Sequence, residues 1–148
     1  MLSADLAGEL LSAGLLWTPR PGDRFMVPVG EMSGEIFYIS EMTIEVHTRP
    51  GGRVLGFNGT TEWALDSLAL NDVVWIPREE QLREQLGDRF VSLTRGLNGW
   101  SVQATVAGTE RSFVDADAEV AYAHAVLATL REEIGPDEDA AADLGRPA

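Results

Sequence analysis

Polar and aromatic side chains that could bind a ligand are concentrated between residues 58 and 67. The run Asn-Gly-Thr-Thr at residues 58–61 breaks the preceding apolar stretch, and its threonines can cap a helix that begins there. At 100° per residue, hydroxyl, indole and carboxylate groups fall on one side of that helix and apolar residues fall on the other. Such a face beside a helix N-terminus suits a small anionic or hydroxyl-rich ligand. We therefore predict a polar pocket lined by Asn58, Thr60, Trp63, Asp66 and Ser67.

The same residues have a purely structural explanation. Asn-Gly and Thr-Thr are common in turns and helix caps, and Trp63 would then cover the edge of a sheet while Asp66 bonds locally. The two explanations predict different environments for Trp63, because only a ligand site requires its indole to border a cavity.

A second candidate is a metal site on the preceding strand. Glu45 and His47 are two residues apart, so a strand would place both side chains on one face, about 6–7 Å apart. Glu41 shares that face, and a third ligand would come from elsewhere, such as Glu31 or Glu62. A solvated strand face explains the same residues, and we predict no cofactor.

Several reaction classes are disfavoured by what the sequence lacks. The chain contains no cysteine, which excludes a disulfide framework, a thiolate nucleophile and a cysteine-based zinc site. It contains no Gly-Lys phosphate loop, and its serines lack the strand–elbow–helix context of a serine hydrolase. His124, the other histidine, is expected at the rim of the last helix, with a structural role or facing solvent. The sequence leaves enzymatic activity open and favours none.

Composition limits the class of partner. The chain has 148 residues, 45% of them hydrophobic, and a formal net charge of −13. This charge disfavours nucleic acid and anionic membranes and permits a basic protein partner. The first 17 residues carry Asp5 and Glu9 and no basic segment, so they indicate neither a signal peptide nor a transmembrane span. We expect a cytoplasmic protein, and the oligomeric state is left open.

Periodicity predicts an α+β fold with helices packed on largely antiparallel sheet. The first half reads as a helix capped by Ser3, three strands, including one long strand from Glu35 to His47, and the helix at residues 60–70. A turn at residues 49–53 joins the second and third strands. Tyr38 is predicted on the core face of the long strand, and Trp17 is predicted to be half exposed, near Arg20.

The second half repeats the order α-βββ-α. A helix follows Pro77 and ends at Gly87, and a strand meander follows, with a hairpin at Asn98-Gly99. Asp115 or Asp117 is expected to cap the last helix, whose core stripe is predicted to be Val120, Ala123, Leu127, Leu130 and Ile134. We predict one domain at residues 1–134 and a disordered acidic tail at residues 135–148.

Four segments resemble a family of small acidic actinobacterial proteins: FNGTTEWALDSL at residues 57–68, VVWIPREEQLREQLG at 73–87, MTIEVH at 42–47 and WTPRPGDRFMVP near the start. Members of that family are often labelled pilus assembly proteins of the CpaE type. Proteins of that type have a receiver-like domain and a nucleotide loop, neither of which is found in this sequence, so no ATPase residues carry over. The resemblance covers most of the chain up to the last helix and implies no mechanism.

Three functions remain open at this point. The first is a non-enzymatic interaction or regulatory module that binds a protein partner. The alternative is a small-molecule binding domain that uses the pocket at residues 58–67. The third is a metal-assisted hydrolase that uses Glu45 and His47.

Overall fold

The computed structural model describes residues 1–28, 34–39, 44–49, 52–57, 67–69 and 73–134, the three short segments from 44 to 69 through their backbone alone. Its helices are α1 (Ala4–Ser12), α2 (Glu79–Leu86) and α3 (Ala118–Ile134). A 3₁₀ turn, Gly87–Arg89, follows α2. The strands are β1 (Arg24–Met26), β2 (Ile36–Tyr38), β3 (Ile44–Arg49), β4 (Gly52–Phe57), β5 (Ser67–Ala69), β6 (Val74–Ile76), β7 (Phe90–Gly96), β8 (Gly99–Val106) and β9 (Thr109–Asp115).

These elements confirm the predicted α+β class, and the chain divides into two compact units. The N-terminal unit contains Leu2–Leu11 and Leu16–Arg78, and the C-terminal unit contains Met1, Ser12–Leu15 and Glu79–Ala148. The single domain predicted for residues 1–134 stays a prediction, and the predicted tail at 135–148 lies outside the described residues.

Besides α1, the described part of the N-terminal unit contains two antiparallel sheets of three strands, in the orders β2-β1-β6 and β3-β4-β5. The predicted turn at residues 49–53 is confirmed by the register, which pairs Arg49 with Gly52 across a two-residue connection. The long strand predicted from Glu35 to His47 is wrong, because β2 and β3 belong to different sheets. Helix α1 begins as predicted, with the Ser3 hydroxyl accepting a hydrogen bond from the Leu6 amide at 3.1 Å.

Two further predictions for this unit are wrong. Tyr38 is 63% exposed, whereas Ile39 is buried and Phe37 stacks on Phe25 with ring centroids 5.5 Å apart. The inward face of this stretch is therefore the one that carries Phe37 and Ile39. The second error is at residues 67–69, which were assigned to a helix and form strand β5, with Leu68 opposite Leu55. Cross-strand pairing prevailed over the helical periodicity there.

The C-terminal unit is a meander, β7-β8-β9, with α3 packed on β8 and β9 and α2 packed on α3. Val102, Ala104 and Val106 alternate inward along β8 and are buried. The hairpin predicted at Asn98-Gly99 is present one residue earlier, since Gly96 pairs with Gly99 and Leu97 and Asn98 form the turn. The buried face of α3 differs from the predicted stripe, because it includes Tyr122, Val126 and Thr129.

Two aspartates just before helix α3 each accept a hydrogen bond from the amide two residues later. Asp115 Oδ1 accepts a hydrogen bond from the Asp117 amide, and Asp117 Oδ1 accepts one from the Glu119 amide, each at 2.9 Å. Asp117 is thus the N-cap, as predicted. Its other oxygen, Oδ2, accepts a hydrogen bond from the Met1 α-ammonium at 2.6 Å. This contact lowers the pKa of Asp117 below its ordinary value of 3.8 and raises the pKa of the Met1 amine above 8.0.

The charge of Asp117 can be tested apart from its role as a cap. Asparagine caps about as well as aspartate, so Asp117→Asn removes the charge and keeps the cap, whereas Asp117→Ala removes both and costs about 1 kcal/mol. A lowered carboxyl pKa stabilises above pH 3.8 and the effect is lost as pH falls through the folded value. A raised amine pKa stabilises below pH 8.0 and is lost as pH rises through its folded value. The melting-temperature difference between the protein and Asp117→Asn should therefore be largest between about pH 4 and pH 8. A difference that does not shrink as pH falls below 3.8 would contradict this assignment.

Among the residues that the structure describes, no helix is both long and apolar enough to cross a membrane.

Candidate functional site

Most of the predicted ligand pocket lies outside the described residues. This applies to Asn58, Thr60, Trp63 and Asp66, and Ser67 begins strand β5. The helical face that was to present Ser67 beside Trp63 therefore does not extend to residue 67. The pocket at the remaining four positions stays a prediction.

The predicted metal ligands Glu45 and His47 both lie on β3, opposite Gly56 and Val54 of β4. Because they are two residues apart, they occupy the same face of that strand, as predicted. Glu41 lies outside the described residues. The metal site stays a prediction.

The environment of Trp17 differs from the one that the sequence predicts. Trp17 is only 7% exposed, and its ring stacks on Trp75 at 6.1 Å with an interplanar angle of 8°. Its indole Nε1 donates to Asp23 Oδ2 at 2.9 Å, and Asp23 is itself 1% exposed. The prediction of a half-exposed Trp17 is wrong, because the carboxylate six residues later satisfies the indole inside the N-terminal unit.

Asp23 is the centre of this buried polar cluster. Besides the Trp17 bond, its Oδ2 accepts from the Arg20 amide at 3.0 Å, and its Oδ1 lies 3.3 Å from Arg78 Nη1. Arg78 Nη1 also donates to the Gly22 carbonyl. All these partners come from the protein itself, so the cluster holds a Pro-rich loop in place and is structural.

A groove in the C-terminal unit is a candidate site that is lined by described residues. It lies between strand β9 and helix α3 and has a volume of about 360 Å³. Pockets that bind small ligands or side chains begin at about this size. Its lining is Arg111, Ser112, Phe113, Val114, His124, Leu127, Ala128 and Arg131.

The strand side of the groove is set by the register of the meander. Arg111 lies opposite Ala104, and Phe113 lies opposite Val102, and both β8 partners are fully buried. Directly opposed residues share a face of the sheet, so Arg111 and Phe113 lie on the face that α3 covers. The Arg111 guanidinium lies over the Phe113 ring, 5.1 Å from its centroid, in a cation–π contact.

The helix side is set by spacing along α3. Leu127 is buried and forms the floor of the groove, while His124 and Arg131 are exposed on either side of it. Positions 124, 127, 128 and 131 recur at three- and four-residue intervals and therefore lie on one side of the helix. The solvent exposure expected for His124 is confirmed. The groove thus combines an apolar floor with two guanidinium groups and one imidazole.

Strand β9 also presents its backbone beside the groove. It is one of the two outer strands of β7-β8-β9, and no further strand pairs with it in the described part of the chain. Ala107 (φ 53°) and Gly108 (φ 76°) form the two-residue turn that closes the β8–β9 hairpin. Both φ values are positive, as a type I′ turn requires. Such a turn is closed by a hydrogen-bonded pair, here Val106 and Thr109, after which bonded and non-bonded pairs alternate.

This alternation identifies which backbone groups face away from β8. The residues of β9 that bond to β8 are Thr109, Arg111, Phe113 and Asp115. Glu110, Ser112 and Val114 therefore direct their N–H and C=O groups to the open edge. An open edge seven residues long, with a groove alongside, can accept another extended chain.

Sequence reasoning missed this groove. Arg111 and Arg131 are twenty residues apart and belong to no motif, and only the packing of α3 on β9 brings them to one cavity. The available signal was the pair of short hairpins followed directly by a helix, which leaves the third strand at the edge.

Comparison with known proteins adds no assignment: no family model, no curated protein and no solved structure matches this chain.

Proposed function

We propose that the protein is a non-enzymatic, cytoplasmic interaction module that binds an extended segment of a partner protein along β9. The observation that carries the proposal is the open edge of β9 lying directly beside the β9–α3 groove. In such binding, main-chain hydrogen bonds to the edge supply affinity, and the groove selects the side chains.

The arrangement of polar groups supports binding rather than turnover. The described residues that line the groove include no carboxylate to orient His124, and Ser112 lies on the other face of β9 from Arg111 and Phe113. The groove does offer an apolar floor on which a side chain can pack, and cationic groups that can orient a ligand. We therefore assign it to recognition.

A single substitution tests strand addition without disturbing the sheet. The Ser112 amide faces the open edge, so Ser112→Pro removes a donor for the incoming strand and no bond to β8. Ser112→Ala is the matched control, because it removes the hydroxyl and keeps the amide. The probe is a phage-displayed library of random eight-residue peptides, selected on the full-length protein.

We expect Ser112→Pro to weaken the selected peptides at least tenfold, which is about 1.4 kcal/mol, and Ser112→Ala to change affinity less than twofold. Circular dichroism checks that both variants fold. If the selected peptides bind Ser112→Pro as tightly as the unmodified protein, β9 is not the binding edge and the proposal fails.

A further inference from the structure

We infer that the segment bound along β9 carries an acidic residue and an apolar residue two positions apart, with the acidic side chain held by Arg111 and Arg131. This inference rests on the proposed function and specifies the chemistry of the partner.

The charge of the groove is opposite to that of the chain. The protein has 24 acidic residues against 11 basic ones, all of them arginine. Two of those arginines and one of two histidines line the groove, and none of its described lining residues is acidic. The net charge of −13 permits a basic partner, whereas the positive side chains of this groove favour an anionic group.

Within the described ranges, the two guanidinium groups of the groove have few contacts. Arg111 contacts the Phe113 ring, and neither Arg111 nor Arg131 forms an ion pair with a residue in the described ranges. One acid near Arg131 in the sequence is paired elsewhere, since Glu133 contacts Arg89 at 3.0 Å. Glu110 lies on the face of β9 opposite to Arg111. Guanidinium groups bind carboxylates in a forked geometry that lysine does not offer.

The spacing of the two recognised residues follows from strand geometry. An added strand bonds to the outward groups of Glu110, Ser112 and Val114, and its residues opposite Arg111 and Phe113 share their face. Those two peptide residues are two positions apart, about 6–7 Å, and both point toward α3. One meets a guanidinium and the other meets an aromatic ring beside Leu127.

The direction of α3 places Arg131 at the same end of the groove as Arg111. Only Ala116 and Asp117 separate β9 from α3, and the two elements pack together, so the helix runs back along the strand. Arg131 lies thirteen residues after the start of α3, which is about 20 Å back along β9 and past the level of Arg111. His124 is about 9 Å back, near the level of Phe113. The carboxylate therefore belongs at the Thr109 end of β9, and the apolar residue belongs nearer Val114.

The same peptide library tests the inference. Peptides that lose binding to Ser112→Pro are sequenced, and we expect aspartate or glutamate at one position and an apolar residue two positions away. For such a peptide, Arg111→Gln and Arg131→Gln should each weaken binding about fivefold, which is the effect of an exposed ion pair. Arg95→Gln is the matched control, because Arg95 is an exposed arginine on β7, outside the groove, and should change nothing.

A charge reversal makes the test decisive. Selection on Arg131→Glu should enrich lysine or arginine at the position where the unmodified protein enriches acids. If the peptides that lose binding to Ser112→Pro are not enriched in aspartate or glutamate, this inference is overturned and the proposed function stands. If no selected peptide is sensitive to Ser112→Pro, the proposed function fails and this inference fails with it. If sedimentation shows a dimer that Ser112→Pro dissociates, the occupant is a second copy of β9, which also overturns the inference.

Discussion

Replacing Asp23 with alanine is expected to lower the free energy of unfolding by about 3 kcal/mol. The carboxylate is 1% exposed and accepts hydrogen bonds from Trp17 Nε1 and the Arg20 amide, with Arg78 at 3.3 Å. Its loss would leave the buried indole N–H without its acceptor and would remove the counter-charge of Arg78. An unpaired buried donor costs about 1–3 kcal/mol, and a broken buried ion pair adds to that.

Urea-induced unfolding followed by far-ultraviolet circular dichroism measures the loss. The control is Asp88→Ala, because Asp88 is exposed in the 3₁₀ turn and should change stability by less than about 0.5 kcal/mol. A second measurement is the near-ultraviolet circular dichroism of the stacked Trp17–Trp75 pair, which should weaken in Asp23→Ala alone. A loss below 1 kcal/mol would show that Asp23 does not hold this loop.

Gly99→Ala should have an effect of similar size in the C-terminal unit, about 3 kcal/mol. Gly99 has φ +110°, a conformation that residues with a Cβ rarely adopt. A Cβ built there would overlap the Asp115 carbonyl oxygen and lie 2.8 Å from the Ala116 Cα. Both neighbours are backbone atoms at the junction of β9 and α3, so neither can turn aside as a side chain would.

The hairpin supplies its own control for this substitution. Gly96 pairs with Gly99 across the turn, and a Cβ there would meet nothing within 4 Å. Gly96→Ala should therefore change stability by less than about 1 kcal/mol, and it can stabilise by restricting the unfolded chain. Equal effects of the two substitutions in thermal unfolding would contradict the close approach at Gly99.

Local signals predicted the C-terminal unit well. The hairpin near Asn98 and the Asp117 cap depend on residues that are near each other in the sequence. In that unit, local preference and tertiary packing agree. The α3 stripe was less accurate, because the alanine-rich helix carries few large residues to define its buried side.

The N-terminal unit was harder to predict because its contacts are long-range. Strand β1 pairs with β6, about fifty residues later, and Arg24 donates to the carbonyls of Ile76 and Pro77. The alternation from Glu35 to His47 looked continuous, although β2 and β3 enter different sheets. The sequence predicts a half-exposed Trp17 because it does not reveal that Asp23 accepts a hydrogen bond from the indole.

The groove shows a different limit of sequence reasoning. His124 was correctly placed at the helix rim, yet nothing in the sequence connected it with Arg111 or Phe113. The edge position of β9 and the return path of α3 together create the cavity, and both are properties of topology. The predicted pocket near Trp63 remains a separate hypothesis, which requires that indole to border a cavity.

Residue-resolved amide hydrogen exchange, with and without a library-selected peptide, tests the central claim most directly. In the free protein, Arg111 and Phe113 amides should exchange slowly, and Glu110, Ser112 and Val114 amides should exchange fast, since only the former bond to β8. Saturating peptide should slow exchange at Glu110, Ser112 and Val114 by at least tenfold. Unchanged exchange at these three amides in the complex would contradict strand addition along β9.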